Sequence, residues 1–173
     1  VNEDAPPQAT MVCSSEDGKN WSDAITVANG SVEDNVFMRS GIIFAHNDML
    51  VILAQKNWNV KAAVRPGMSV HDDRAIECQI DAYTSSDGAV WQLAHENLVP
   101  SHWTFEEPKL TKGGRLLGPG CNSKLFTPTV LLWPGDDPLE KPEVIHIPFH
   151  SKDMGGEKEF AKPQGGHFPS GES

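Results

Sequence analysis

Two short stretches constrain this chain more than anything else in it. They are Ser14-Ser15-Glu16-Asp17-Gly18-Lys19-Asn20-Trp21 and Thr84-Ser85-Ser86-Asp87-Gly88-Ala89-Val90-Trp91. Each follows an apolar or β-prone run, Ala9 to Cys13 and Ile80 to Tyr83, and makes a polar turn around Asp-Gly before ending on a Trp that opens another run. That order of residue types predicts a β-hairpin. Acidic and hydroxyl side chains can bond the turn backbone, Gly supplies a positive φ, and the Trp can fold back over the hairpin as a local plug. Gly88 follows Gly18, and Trp91 follows Trp21, by the same interval of 70 residues. One such turn is commonplace, whereas two of the same form suggest a structural repeat.

Further strands are predicted on both sides of these turns. Ser40 to Ala45 and Met49 to Ala54 read as a hairpin joined by His46-Asn47-Asp48, and Ile76 to Tyr83 and Trp91 to His95 flank the second turn. Trp103 to Leu110 runs into the turn Lys112-Gly113-Gly114-Arg115 and returns through Leu116-Leu117. Thr129 to Trp133 and Glu143 to Phe149 are two more strands, separated by a loop from Pro134 to Pro142. No amphipathic helix of useful length is evident, and the nucleotide-binding, zinc-protease and nucleophile-elbow motifs are missing.

The first turn resembles the Asp-box of sialidases and related β-propeller proteins, S-x-D-x-G-x-x-W, with Glu16 in the position of the family's Asp. The second resembles a degraded copy, with Thr84 for the Ser and Ser86 for the Asp. The resemblance implies an all-β fold: part of a five- to seven-bladed β-propeller, six-bladed by expectation, built of four-stranded antiparallel blades. Blade fragments are expected at about 1-30, 38-98 and 103-150, with 151-173 the approach to a further blade. At roughly 40–45 residues per blade, six blades need on the order of 250 residues. A chain of 173 residues is therefore expected to be one portion of a longer propeller, with the remainder as its partner.

The same resemblance carries chemistry. Sialidases bear an Asp-Ala-Pro segment shortly before the first Asp-box, and Asp4-Ala5-Pro6 matches it, so Asp4 is the implied acid/base residue. Protonating a leaving group and then activating water requires a carboxyl whose pKa is raised by exclusion from solvent. Glu172 is the implied partner of a tyrosine nucleophile, and His167 beside it is a candidate base. Arg39, at the start of an inner strand, has the fork that suits a substrate carboxylate. His71 and Arg74 lie in a long connection of the kind that shapes binding sites. For each of these residues a solvated surface or tail position is the competing reading.

Part of the family's equipment has no counterpart. A sialidase uses three arginines and a tyrosine nucleophile, whereas this chain holds four arginines and a single tyrosine. Tyr83 runs straight into the second turn, which puts it on the outer rim, and Arg115 reads as a turn residue. Three functions therefore stay open. The first is an exo-acting glycoside hydrolase acting on an acidic glycan. The second is a polysaccharide lyase using His71, His146, His150 or His167 as base beside a uronate. The third is a glycan-binding propeller without catalysis, its five Trp residues offering stacking surfaces.

Charge and cysteine content narrow the surroundings. A formal net charge of −10 opposes nucleic acid and anionic membranes as partners. No apolar run approaches the ~20 residues that cross a bilayer, and no signal-peptide pattern opens the chain at Val1. Cys13, Cys78 and Cys121 lack metal-site spacing and read as buried free thiols. No cofactor or metal is expected, and a structural calcium ion finds no support in the residues. Two glycosylation sequons, at Asn20 and Asn29, agree with the secreted or periplasmic location that the resemblance implies.

Overall fold

The computed structural model describes residues 7–58, 77–123 and 127–147 (for Ser40, the backbone only), and these are all-β, with no helix among them. Three antiparallel sheets are present. The first pairs β1 (Ala9–Val12) with β2 (Ile25–Asn29). The second is a meander of four strands in chain order, β3 (Val36–His46), β4 (Met49–Trp58), β5 (Glu77–Ser85) and β6 (Gln92–Pro100). In the third, β9 (Leu116–Asn122) pairs on one side with β10 (Thr127–Leu132), which in turn pairs with β11 (Glu143–His146). Its other side carries β7 (His102–Trp103) and β8 (Lys109–Leu110).

Alternation along β4 and β5 makes the second sheet two-faced, because successive side chains of a strand point to opposite sides. Val51, Leu53, Ile80 and Ala82 face the third sheet and form a core with Leu116, Leu131 and Trp133. Ile52 and Ala54 face the other way and pack with Met38 and with Ala28 of the first sheet. The second sheet is thus covered on both faces, which is why β4 reads as an almost unbroken apolar run. Trp133 is the largest fully buried side chain, and its indole N–H donates to the Pro138 carbonyl at 3.1 Å.

The strands outrun the sequence expectation in places and fall short in others. β4 continues to Trp58 through Gln55 and Asn57, polar but buried, which are linked by a hydrogen bond: Gln55 Nε2 donates to Asn57 Oδ1 at 2.8 Å. The β3–β4 hairpin turns on Asn47 and Asp48, both at positive φ (44° and 61°), the backbone that a two-residue hairpin of this twist requires. The expected strand from Trp103 to Leu110 is split into β7 and β8. Pro108, which has no N–H to donate, sits in the gap.

The two repeated turns have the same hydrogen-bond plan. In the first, the Ser15 hydroxyl bonds Asp17 Oδ1 (3.1 Å) and accepts the Gly18 N–H (2.8 Å). Asp17 Oδ1 also accepts the N–H groups of Lys19 and Asn20, each at 2.8 Å. In the second, Ser85 bonds Asp87 (3.0 Å) and accepts from Gly88 (2.8 Å), and Asp87 Oδ1 accepts from Ala89 (2.8 Å) and Val90 (3.0 Å). Gly18 and Gly88 have φ of +69° and +76°. The residues that make these bonds are Ser15 and Asp17 in the first turn and Ser85 and Asp87 in the second, each one position after the Ser14, Glu16, Thr84 and Ser86 matched to the pattern in the sequence. The N–H groups of Asn20 and Lys19 hold the Asp17 carboxyl far below the usual carboxylate range, and those of Val90 and Ala89 lower Asp87 likewise.

The plugs differ, however. Trp91 packs against the core shared by the first two sheets and donates its indole N–H to the Gly88 carbonyl at 3.0 Å. Trp21 is 62% exposed, so the expected plug is absent from the first turn. The cysteines also depart from the expectation of buried thiols. Among the described residues only Cys78 of the three is buried; Cys13 is exposed and Cys121 intermediate.

Candidate functional site

Strand direction brings Arg39 and His102 to one end of the sheets. The repeated turn at 86–90 and the Asn47-Asp48 turn cap one end of the second sheet. At the opposite end β3 and β5 begin and β4 and β6 finish, with Val36, Trp58 and Glu77 in register across β3, β4 and β5. β1 enters there too, since the Gln8 carbonyl accepts the N–H groups of Gly30 (2.8 Å) and Met38 (3.2 Å). The third sheet joins at the same end: Ser101 N–H donates to the Cys78 carbonyl (2.8 Å) and Ser123 N–H to the Ser101 carbonyl (2.9 Å).

Of the sequence-selected residues, the described part holds His146, on β11, and Arg39. Arg39 is half-buried near the start of β3, where the pairing with β4 slips between Met38 and Gly41. Its carbonyl accepts the Thr10 hydroxyl at 2.8 Å, which ties β1 to this point. His71 and Arg74 belong to the 59–76 connection, outside the described residues. The described residues that flank it are joined: Trp58 and Glu77 are cross-strand partners, and the Trp58 indole donates to Glu77 Oε2 at 2.8 Å. Asp4, His150, His167 and Glu172 also lie outside the described residues.

Sequence reasoning passed over the best-defined polar group at this end. His102 is 5% exposed, although it opens a strand between Ser101 and Trp103. Its Nδ1 lies 2.7 Å from the Pro100 carbonyl. A carbonyl only accepts, so Nδ1 carries the hydrogen and Nε2 presents its lone pair. Burial, reinforced by His146, lowers the pKa, against the raising effect of the Pro100 carbonyl, and the ring is neutral near pH 7. The His146 ring, on the exposed end of β11, lies 6.4 Å away. The one signal in the sequence was position: His102 follows Pro100, at the crossing from one sheet to the next.

Two other groups are explained by structure alone. Tyr83 is half-buried on β5, where burial first, then the carboxylates of Asp81 and Glu96, pushes its phenol up to about 12. Arg115 donates from Nε to the Trp133 carbonyl at 2.8 Å, bracing the turn that holds it. Among the described residues no group of three or more His, Cys, Asp or Glu is placed to hold a metal ion, and no helix is long and apolar enough to cross a membrane. Compared with protein-family models and with curated proteins, the chain matches none.

Proposed function

We propose that this chain is part of a sialidase-like β-propeller and contributes to an enzyme that hydrolyses a terminal glycosidic bond of an acidic glycan. The observation that carries the reading is the pair of turns with one hydrogen-bond plan, each between the last two strands of adjacent sheets that stack face to face. Radially set blades of a propeller stack in this manner, and the turns would lie on the rim away from the substrate. A further blade is supported by the outer face of the third sheet, where Leu117, Ile145 and Ile147 are exposed apolar side chains on the side opposite Leu116 and Leu131. Apolar faces of this kind are normally covered.

In this reading Asp4 is the acid/base residue, Arg39 meets the substrate carboxylate and Glu172 supports a nucleophile from the remainder of the propeller. The placement of β1 beside Arg39 favours it, since Asp4 precedes the first residue of β1, Ala9, by only five positions. Incubation with sialylated oligosaccharides tests it: release of free sialic acid, lost in Asp4→Asn, is the expected result. Release of no monosaccharide from sialylated or other acidic glycans would overturn it. The lyase alternative gains from one observation, the neutral His102 with a bare Nε2 beside His146, and predicts a new 4,5-unsaturated uronate chromophore on uronate-containing glycans. Glycan binding without turnover would select the non-catalytic propeller.

A further inference from the structure

Where the second and third sheets face each other, at the end that gathers His102, several polar atoms lack a hydrogen-bond partner among the described residues. They are Asn57 Nδ2, His102 Nε2, Thr127 Oγ1 and Thr129 Oγ1. Asn57 is 1% exposed and Thr129 2%, so bulk water cannot serve them. Burying a donor or acceptor unmade forfeits its full hydration, and native proteins avoid this almost without exception.

Connectivity draws the groups to one corner. Asn57 faces Cys78 across β4 and β5, and the Cys78 thiol donates to the His102 carbonyl at 3.4 Å. His102 pairs with Asn122, which in turn pairs with Thr127. The His102 ring neighbours that of His146, the cross-strand partner of Thr129. Their hydrogen-bonding senses are complementary. Asn57 Oδ1 already accepts from Gln55, so its amide hydrogen is the unengaged group and can only donate. His102 Nδ1–H is held by Pro100, so Nε2 can only accept. The threonine hydroxyls do either. None of these groups carries a formal charge, so the corner suits a neutral guest.

The geometry points to a binding site for a neutral hydroxyl group in this corner, one that donates its hydrogen to His102 Nε2 and accepts the Asn57 amide hydrogen, with Thr129 Oγ1 as a third contact. Two sources supply that chemistry: an ordered water molecule, or an alcohol of a sugar entering past the exposed His146. The inference stands apart from the glycosidase reading, because it needs no bond to be cleaved.

Nuclear magnetic resonance of the full 15N-labelled chain tests it. The ring nitrogens of His102 and the side-chain amide of Asn57 would be followed in water and during stepwise addition of galactose, glucuronic acid and N-acetylneuraminic acid. A hydrogen-bonded His102 Nε2 with cross-relaxation from the Asn57 amide to a long-lived water establishes the site with water as its guest. Saturable shifts of both residues with one sugar, and loss of that water signal, establish it with a sugar alcohol. In either case Thr129→Val, which keeps shape and removes the hydroxyl, weakens occupancy about tenfold. An unbonded His102 Nε2, with no water cross-relaxation and no response to any of the three sugars, would overturn the proposal, and so would unchanged occupancy in a folded Thr129→Val.

Discussion

Asp81 Oδ1 accepts the backbone N–H of Asn97 at 2.8 Å, at the place where the register between β5 and β6 slips. Asp81 is fully buried, and the same oxygen takes the Gln79 amide at 2.6 Å. Asn97 adopts φ +57°, which a short polar side chain tolerates better than most. The carboxylate thus stands in for the strand partner that the bulge removes. Asp81→Ala leaves two donors unmade and is expected to lower stability by about 2–4 kcal/mol, read from urea unfolding. Asn97→Gly, which fits the same backbone, is expected to change it by less than about 1 kcal/mol.

The two repeated tryptophans, alike in sequence, are expected to differ in energy. Trp91→Ala removes a packed ring and an indole hydrogen bond, a loss of about 2 kcal/mol. Trp21→Ala, at a largely solvated site, stays within about 0.5 kcal/mol of the parent. Equal losses in chemical denaturation would contradict the difference in packing.

Glycine positions separate in the same way. An added Cβ at Gly120 would meet Thr129 Oγ1 at 2.7 Å and Leu131 Cγ at 3.1 Å, whereas at Gly113 the nearest atom is 3.8 Å away. Gly120→Ala is therefore expected to destabilise by about 1–3 kcal/mol through overpacking. Gly113→Ala should be close to neutral, and thermal unfolding of the pair decides.

Acid should act on His102 before it acts on the turns. The folded-state pKa of His102 is lowered by burial, so the unfolded chain binds the extra proton first, and stability falls as pH drops through about 6.5. His102→Gln is expected to flatten that dependence between pH 7 and 5. Asp17 and Asp87 are also lowered. Their contribution is present above the unfolded carboxylate range, near pH 3.9, and is lost only as pH falls through their depressed folded values. Melting temperature against pH should show the histidine loss first and the aspartate loss in stronger acid.

Thiol reactivity should follow exposure. Cys13 is exposed, Cys121 is intermediate with its pKa raised by burial, and Cys78 is buried. An aromatic disulfide reagent at pH 8 should modify Cys13 rapidly, Cys121 slowly and Cys78 only on unfolding. Mass spectrometry of the modified peptides would establish the order.

Most strands were legible because turn chemistry and alternation agree. Asn47-Asp48 and the two Asp-Gly turns announce hairpins, and the apolar run of β4 announces a strand covered on both faces. The extension of β4 was hidden because Gln55 and Asn57 are polar, and the bond between them that accompanies their burial is not legible in the sequence. The acidic residue that closes the first turn was hard to choose because Glu16 and Asp17 are neighbours, and the choice depends on which carboxylate reaches the N–H groups after the glycine. At the candidate site Arg39 was legible as the start of a strand. His102 was not, because its role depends on a carbonyl two residues back and on Cys78, met only after the chain has crossed from one sheet to the next.

The indole-to-carboxylate clasp between Trp58 and Glu77 fastens the roots of the 59–76 connection within the ladder itself. Alignment of β4 against β5 is thereby marked in the ladder below that connection. An engineer who replaces those residues is expected to find the sheet beneath assembled in the same frame.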